Sequence, residues 1–264
     1  MTVETTQLYH EVAGSGPPVV FIHEGICDRR MWDPQWQTFP QTHTCVRLDL
    51  RGFGESPLAP GPFAHAPTVI DLLERLDLGT TALVGASLGG RVALEVALER
   101  PELVSALVLV GPGLPDLEPT EETRAGWAEE EAALERGDID AAVEVNLRMW
   151  VDGPHRAPDD VDPAVRAQVG EMQRRALELY AGAGEAEEEL FVPDLRDRLP
   201  DIAAPTLLIV GAQDRPEIHT AADVIEERVP RVRRADIAGT AHVPNMERPS
   251  EFDELVLPFL AEHR

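Results

Sequence analysis

The sequence predicts an α/β protein: a mostly parallel sheet covered by helices on both faces, interrupted by one helical insertion. Three observations carry this. From Val19 to Val110 short apolar runs alternate with helical patterns, as βαβ units with right-handed crossovers do. Between Pro115 and about Pro200 the alternation stops and only helical patterns remain; it resumes at Pro205. Several of the runs are continuously apolar, which suits strands buried on both faces of a parallel sheet.

The first element, residues 7–12, alternates polar and apolar side chains like a half-exposed strand, and Ala13-Gly-Ser-Gly-Pro-Pro18 is a turn in composition. Val19-Val-Phe-Ile-His23 is a buried strand, followed by a loop and a helical segment around Met31, Trp32 and Trp36. Residues 44–50 form the next strand, and Arg51-Gly-Phe-Gly-Glu-Ser-Pro57 is a turn-rich loop. Val69, Leu72, Leu73 and Leu76 recur at helical spacing, and Gly79 ends that helix. A strand over 81–86 runs into a helix carrying Val92, Leu94, Val96 and Leu98, and 104–110 is again a strand. In the insertion the helical patterns cover 120–136, 139–150 and 163–180, with Ala181-Gly-Ala-Gly-Glu185 as a flexible joint. Strands at 205–210 and 232–237 and helices at 221–228 and 251–260 complete the pattern.

Composition limits the function. All 23 basic residues are arginine, against 48 acidic ones, for a formal net charge of -25. That balance repels nucleic acid and anionic membranes, although adaptation to salt gives the same composition. About half of the acidic residues lie between Pro115 and Pro200, and their runs read as solvated helix faces and loops. No apolar stretch approaches the roughly 20 residues that cross a bilayer, and the first residues lack a secretory pattern. A cytoplasmic protein is expected, a monomer or homodimer, with a small-molecule substrate that is neutral and largely apolar. Cys27 and Cys45 lack metal-ligand spacing and read as packing residues, so neither a disulfide framework nor a metal site is expected.

The stretch Thr81-Ala-Leu-Val-Gly-Ala-Ser87-Leu-Gly-Gly90 carries the chemistry. A β-type run empties into Gly85-Ala-Ser-Leu-Gly89 and then into a helix, the sequence form of a nucleophile elbow. Such a turn presents the Ser87 hydroxyl at a strand tip and aims the amide of Leu88 at the same point. The competing reading is a glycine-rich turn with a capping serine. A serine hydroxyl needs a base and the base needs an orienting group. Asp214, at the end of Val-Gly-Ala-Gln-Asp, and His242, in Gly-Thr-Ala-His-Val-Pro, supply both in the order serine, aspartate, histidine.

The chain resembles the α/β-hydrolase superfamily, in its capped serine-hydrolase branch of esterases, lactonases and carbon-carbon bond hydrolases. The resemblance spans nearly the whole length. It rests on the His23-Glu-Gly25 loop with Trp32 nine residues on, Asp49-Leu-Arg-Gly-Phe-Gly-Glu-Ser56, the elbow, the Gly-x-x-Asp ending at Asp214, and His242 with Glu247 and Pro249 behind it. It implies an eight-stranded sheet with a helical cap between strands six and seven, hence a core over residues 1–114 and 201–264 and a cap over 115–200. It makes Ser87 the nucleophile, His242 the general base and acid, and Asp214 the carboxylate that orients the imidazole. The oxyanion would rest on the backbone amides of Gly25 and Leu88, and His23 would be structural.

The implied activity is hydrolysis of a carboxylic ester or lactone without a cofactor. Cleavage of a carbon-carbon bond, with Arg91 or Arg148 receiving an anionic substrate, and a ligand-binding or non-hydrolytic role are the alternatives. Serine in the elbow, where dehalogenases and epoxide hydrolases carry aspartate, argues against those two activities. Asp49 also ends a strand, but its Arg-Gly-x-Gly context resembles a structural loop and it is rejected as the acid, Asp236 is weaker still, and His219 is a further residue that could approach the site. Trp127, Met149, Trp150 and Val243 are candidates for substrate contact, with Met172 and Tyr180 among the large side chains of the insertion. Glu24 replaces the family's usual glycine. Its carboxylate is expected to turn away from the oxyanion site or to meet a cationic or hydroxylated part of the substrate.

Overall fold

The computed structural model describes residues 7–263, and every apolar run picked out above lies in a strand. The chain starts with β1 (His10–Gly14) and β2 (Pro18–Ile22), then passes through α1 (Asp33–Thr38) to β3 (Thr44–Leu48). A three-residue strand, β4 (Gly61–Phe63), precedes α2 (His65–Leu76). β5 (Thr81–Ala86) runs into α3 (Leu88–Glu99), and β6 (Val104–Val110) follows. Helices α4 (Glu121–Glu135), α5 (Ile139–Asn146) and α6 (Pro163–Gly182) come next, with a π-helical turn over Leu147–Asp152. Then come β7 (Ala186–Glu188), α7 (Leu195–Arg198), β8 (Thr206–Gly211), α8 (Pro216–Arg228), β9 (Val232–Ile237), α9 (Pro244–Glu247) and α10 (Pro249–Glu262).

Side-chain alternation along the strands divides the core in two. Val20, Ile22, Leu83, Leu107, Leu109, Leu208 and Val210 face α2, α3 and α8, while Val19, Phe21, Val84, Val108 and Ile209 face α10 and the Trp32–Phe39 region. A strand sends successive side chains to opposite faces, so these continuously apolar runs need cover on both sides and receive it. In the insertion, Thr120, Asp138 and Asp162 accept backbone N–H bonds at the starts of α4, α5 and α6, and Pro163 occupies the first turn of α6. These caps place the helices where the sequence put them.

The main sheet runs β1-β3-β2-β5-β6-β8-β9, with only β1 antiparallel to its neighbour. From β2 the chain moves outward to β3, then crosses back to place β5 on the other side of β2. The order therefore reverses between β2 and β5, and the crevice at the carboxyl ends of those two strands is where a sheet of this kind binds its ligand. Residues 23–25 and Ser87 occupy those ends.

Several expectations are corrected. The eighth strand implied by the resemblance has no counterpart among the described residues: the main sheet has seven, and the helical stretch follows the fifth of them. Between Pro115 and Pro200 there is a strand after all, Ala186–Glu188, which pairs in parallel with Gly61–Phe63 in a separate two-stranded sheet. It is short and acidic, and its extended form comes from a partner more than a hundred residues away, not from its own propensity. The helix expected over 139–150 changes to a π-helical turn at Leu147, and α6 runs into the expected joint as far as Gly182. Among the described residues no helix is long and apolar enough to cross a membrane.

The turn from β5 to α3 is fixed by close backbone approach. A Cβ on Gly89 would lie 2.3 Å from the Ile22 carbonyl oxygen and 2.6 Å from that of His23, and one on Gly85 would lie 2.3 Å from the Gly89 oxygen. The first contact is with backbone at the end of β2 and the second with the first turn of α3, so neither can yield cheaply. Gly89→Ala is accordingly expected to cost about 1–3 kcal/mol, in line with other overpacked sites, and to separate the end of β2 from the start of α3. Thermal unfolding of the variant measures the first effect, and loss of Ser87 labelling by a fluorophosphonate in still-folded protein measures the second.

Candidate active site

Ser87 sits between β5 and α3 with φ 46° and ψ -107°, a backbone conformation that a non-glycine residue adopts only where its surroundings impose it. Its N–H donates to Val110 O at 2.8 Å and its carbonyl accepts from Arg91 N at 3.0 Å and Gly113 N at 3.3 Å. The side chain does not cap α3, which removes the capping alternative. The amide of Leu88, in the first turn of α3, has no carbonyl four residues before it within the helix. Gly25 lies beside it: a Cβ there would meet the Leu88 side chain at 3.9 Å. The two residues expected to hold the oxyanion are thus neighbours across the β2–β5 crevice.

His242 follows β9 and is fully enclosed. Its Nδ1 is 2.8 Å from Asp214 Oδ2, and Asp214, just beyond β8, accepts a second bond from Arg215 N at 2.8 Å. Gly111 passes beneath this pair with φ 47°, where a Cβ would lie 3.2 Å from His242 Nδ1 and 3.3 Å from Asp214 Oδ2. Since Ser87 N is bonded to Val110, the residue before Gly111, the three groups meet at adjoining strand ends. Burial works against a charged imidazole, but the charge and hydrogen bond of Asp214, with Glu24 and Glu217 behind them, push the His242 pKa up to about 9.

Two further contacts hold His242. The Trp150 ring lies 4.8 Å from it, centroid to centroid, and Trp150 O accepts from His242 N at 3.3 Å. Trp150 belongs to the π-helical turn, a distortion that re-aims side chains and recurs at functional sites. Behind the loop, Glu247 accepts from Ala241 N at 3.0 Å and pairs with Arg156, which also donates to Gly239 O at 2.9 Å. This buried pair ties the segment after the π-helical turn to the chain that carries the histidine.

Glu24 turns toward His242, a partner that neither expectation for it included. It is wholly buried, Oε2 lies 3.8 Å from His242 Nε2, and that oxygen has no hydrogen-bond partner. Oε1 accepts from the Cys27 thiol at 3.3 Å, and the Glu24 N–H meets Met31 Sδ at 3.4 Å. Burial is the main reason why its pKa is raised to about 7, with His242 and the thiol pulling the other way. Cys27 is therefore more than a packing residue. The glutamate lies two residues beyond β2, in a segment that is buried together with His23.

The other expected residues separate cleanly. His23 is structural: its Nδ1–H donates to Glu24 O at 2.7 Å, its Nε2 accepts from Leu50 N at 2.9 Å, and burial lowers its pKa. Asp49 is bound by Arg29 N at 2.8 Å, Arg29 Nη1 at 2.7 Å and Glu55 N at 2.9 Å, and so serves the 51–56 loop instead of the histidine. Asp236 pairs with Arg234, and His219 also lies against that arginine. Arg91 is bonded to Glu95 and Glu188, and Arg148 to Glu129. Val243 is packed in the core next to His242. Met149 lines an outer cavity of about 370 Å³ with Arg148 and Arg215. Trp127 is half exposed and shares a cavity of about 120 Å³ with Trp150 and Gly113.

A cavity of about 320 Å³ opens directly onto Gly25 and Leu88. Its walls include Phe53, Glu130 and one face of α6: Gln173, Ala176, Leu177 and Tyr180. Of these only Tyr180 was singled out from the sequence. The spacing 173, 176, 177, 180 is a helical stripe, and that was the available signal. Nothing local marked Gly111 or Arg156 as part of the site.

A mostly parallel sheet with a strained serine at its switch point and an acid-bonded histidine beyond the adjoining strands is the frame of a class of hydrolase. Residues 17–249 match the model of the alpha/beta hydrolase fold, and the chain belongs to that family. It is 26% identical over 255 residues to the pimeloyl-[acyl-carrier protein] methyl ester esterase of Aeromonas hydrophila, covering 94% of this chain and 96% of the relative. It is 23% identical to 3-oxoadipate enol-lactonase 1 of Acinetobacter baylyi, with 93% and 89% covered. Among solved structures, the enol-lactonase from Burkholderia xenovorans superposes with a TM-score of 0.79 at 21% identity over 99% of both chains, a likeness of fold.

The geometry separates the two candidate acids experimentally. Asp214→Asn is expected to lower kcat about 10³–10⁴-fold with little change in Tm, because it removes the group that orients the imidazole. Asp49→Asn should instead lower Tm, since it weakens the Arg29 pair and the loop bonds, and leave more activity than Asp214→Asn. Steady-state kinetics and thermal melts on the two variants check this.

Proposed function

We propose that the protein hydrolyses a carboxylic ester or lactone through an acyl-enzyme on Ser87. The observation that carries this is the 2.8 Å bond between His242 and Asp214 at strand ends adjoining a strained Ser87. Ser87 Oγ attacks the acyl carbon as His242 Nε2 takes its proton, with Asp214 holding the Nδ1–H and stabilising the imidazolium. The carbonyl oxygen, now negative, rests on the amides of Gly25 and Leu88 at the positive end of α3. His242 then gives its proton to the leaving alkoxide, draws one from water, and returns it to Ser87 Oγ as the hydroxide formed displaces the acid.

The helical stretch after β6 would act as the cap over this site, since α6 and the π-helical turn supply Gln173, Ala176, Leu177, Tyr180 and Trp150 around it. The esterase and lactonase relatives support ester or lactone chemistry. Carbon-carbon bond cleavage of an anionic substrate is disfavoured, because Arg91 and Arg148 are already bonded to glutamates. No observation favours a non-hydrolytic role.

Short-chain p-nitrophenyl esters test the reading: Ser87→Ala should turn over at least about 10³-fold more slowly than wild type, and equal rates would refute it. A fluorophosphonate should add once, at Ser87, as read by mass spectrometry of the labelled peptide. The acyl group is placed in the 320 Å³ cavity. Ala176→Phe should therefore lower kcat/KM for hexanoate esters about tenfold more than for acetate, a comparison made on one enzyme preparation.

A further inference from the structure

We propose that Glu24 is a second acid partner of His242, a positioning residue whose carboxylate, ion-paired across 3.8 Å, keeps the proton on His242 Nε2 until substrate chemistry begins. This rests on the reading that His242 is the base for Ser87. Three features carry it. Glu24 Oε2 faces the one ring nitrogen that Asp214 does not use, at 3.8 Å. Both side chains are enclosed, so water cannot satisfy either group. And Oε2 has no hydrogen-bond partner, a costly state for a buried carboxylate unless it keeps a proton or faces a cation.

The surrounding groups leave Glu24 in this position. On its own loop, the Cys27 thiol is kept neutral by burial, Asp28 is paired with Arg30, and His23 is used up by Glu24 O and Leu50 N. From the β8 side come Asp214, bound to Nδ1, and Arg215, whose guanidinium is turned to Glu217 and Thr123. The π-helical turn presents the uncharged Trp150, and β5 presents Ser87.

The proton count sets the direction of the effect. With that proton on Nε2, the nitrogen has no free lone pair and cannot accept the Ser87 proton. When that proton leaves for solvent, the imidazole is neutral and Glu24 is a carboxylate. The Ser87 proton can then move to Nε2 as Oγ bonds to the acyl carbon, and the imidazolium forms between two carboxylates. Activity therefore rises with pH, through a midpoint that Glu24 holds above that of a histidine with a single acid partner.

The test follows p-nitrophenyl acetate turnover and the rate of fluorophosphonate labelling from about pH 5 to about pH 10, the range over which a perturbed histidine titrates. In Glu24→Gln, which keeps the shape and loses the charge, the midpoint is expected to fall by at least about one pH unit, and labelling near pH 6 to become faster than in wild type by about tenfold. A rate lowered equally at every pH, with an unmoved midpoint, would overturn the proposal, since that is what a structural role alone produces. The wild-type protein supplies a second measurement should the variant fail to fold: ¹⁵N NMR at neutral pH should find His242 protonated on both ring nitrogens, and a neutral imidazole would overturn the proposal. Folded wild type that is not labelled at any pH would instead refute the role of Ser87, and the NMR result would still decide the role of Glu24.

Discussion

The contact on which the site depends is the near-collision of two backbones, the first turn of α3 against the last residues of β2. Gly89 lies so close to the Ile22 and His23 carbonyls that a methyl group would not fit. This packing draws the amide of Leu88 toward Gly25, and it imposes the positive φ of Ser87 on the turn between β5 and α3. In the proposed mechanism these two amides are pre-set donors, which stabilise a developing oxyanion without moving during the reaction. The strain in the turn is sustained by the sheet, whose β2 and β5 are paired from Val19 to Ile22.

A second layer of constraint holds the histidine. His242 follows an edge strand, yet it is enclosed because Gly111 lies beneath it, Trp150 stands over it, and Glu247 with Arg156 anchors the preceding residues. The chain that covers the sheet therefore also positions the catalytic candidate. Placing two carboxyl groups around one imidazole in a space without water makes their charges strongly interdependent. The acidic character of the chain thus extends from the solvated faces into the site itself, through Glu24 and through Glu130 in the cavity wall.

The alternation of apolar runs and helical patterns located β2, β3, β5, β6 and β8, because a strand buried on both faces has to be apolar throughout and a covering helix apolar along one stripe; the half-exposed β1 was marked by its own polar and apolar alternation, three residues early. Ser87, Asp214 and His242 were legible for a related reason: each stands in a short, chemically unusual turn, Gly-Ala-Ser-Leu-Gly, Gly-Ala-Gln-Asp or Gly-Thr-Ala-His. The strand Ala186–Glu188 was not legible. Three residues carry no period, and Glu187 and Glu188 read as solvent-facing until Gly61–Phe63 is seen beside them.

By itself the sequence determined the fold class and marked the turns that carry Ser87, Asp214 and His242, because both are written in local motifs and in periodic burial. Only the tertiary structure decided what surrounds them. It turned Glu24 toward His242, set Trp150 against the imidazole, withdrew Val243 into the core, and built a cavity from one face of α6. The physical reason is that the direction of a side chain at a strand end, and the partner it meets there, depend on which distant segments share that end of the sheet. No local pattern along the chain records that choice.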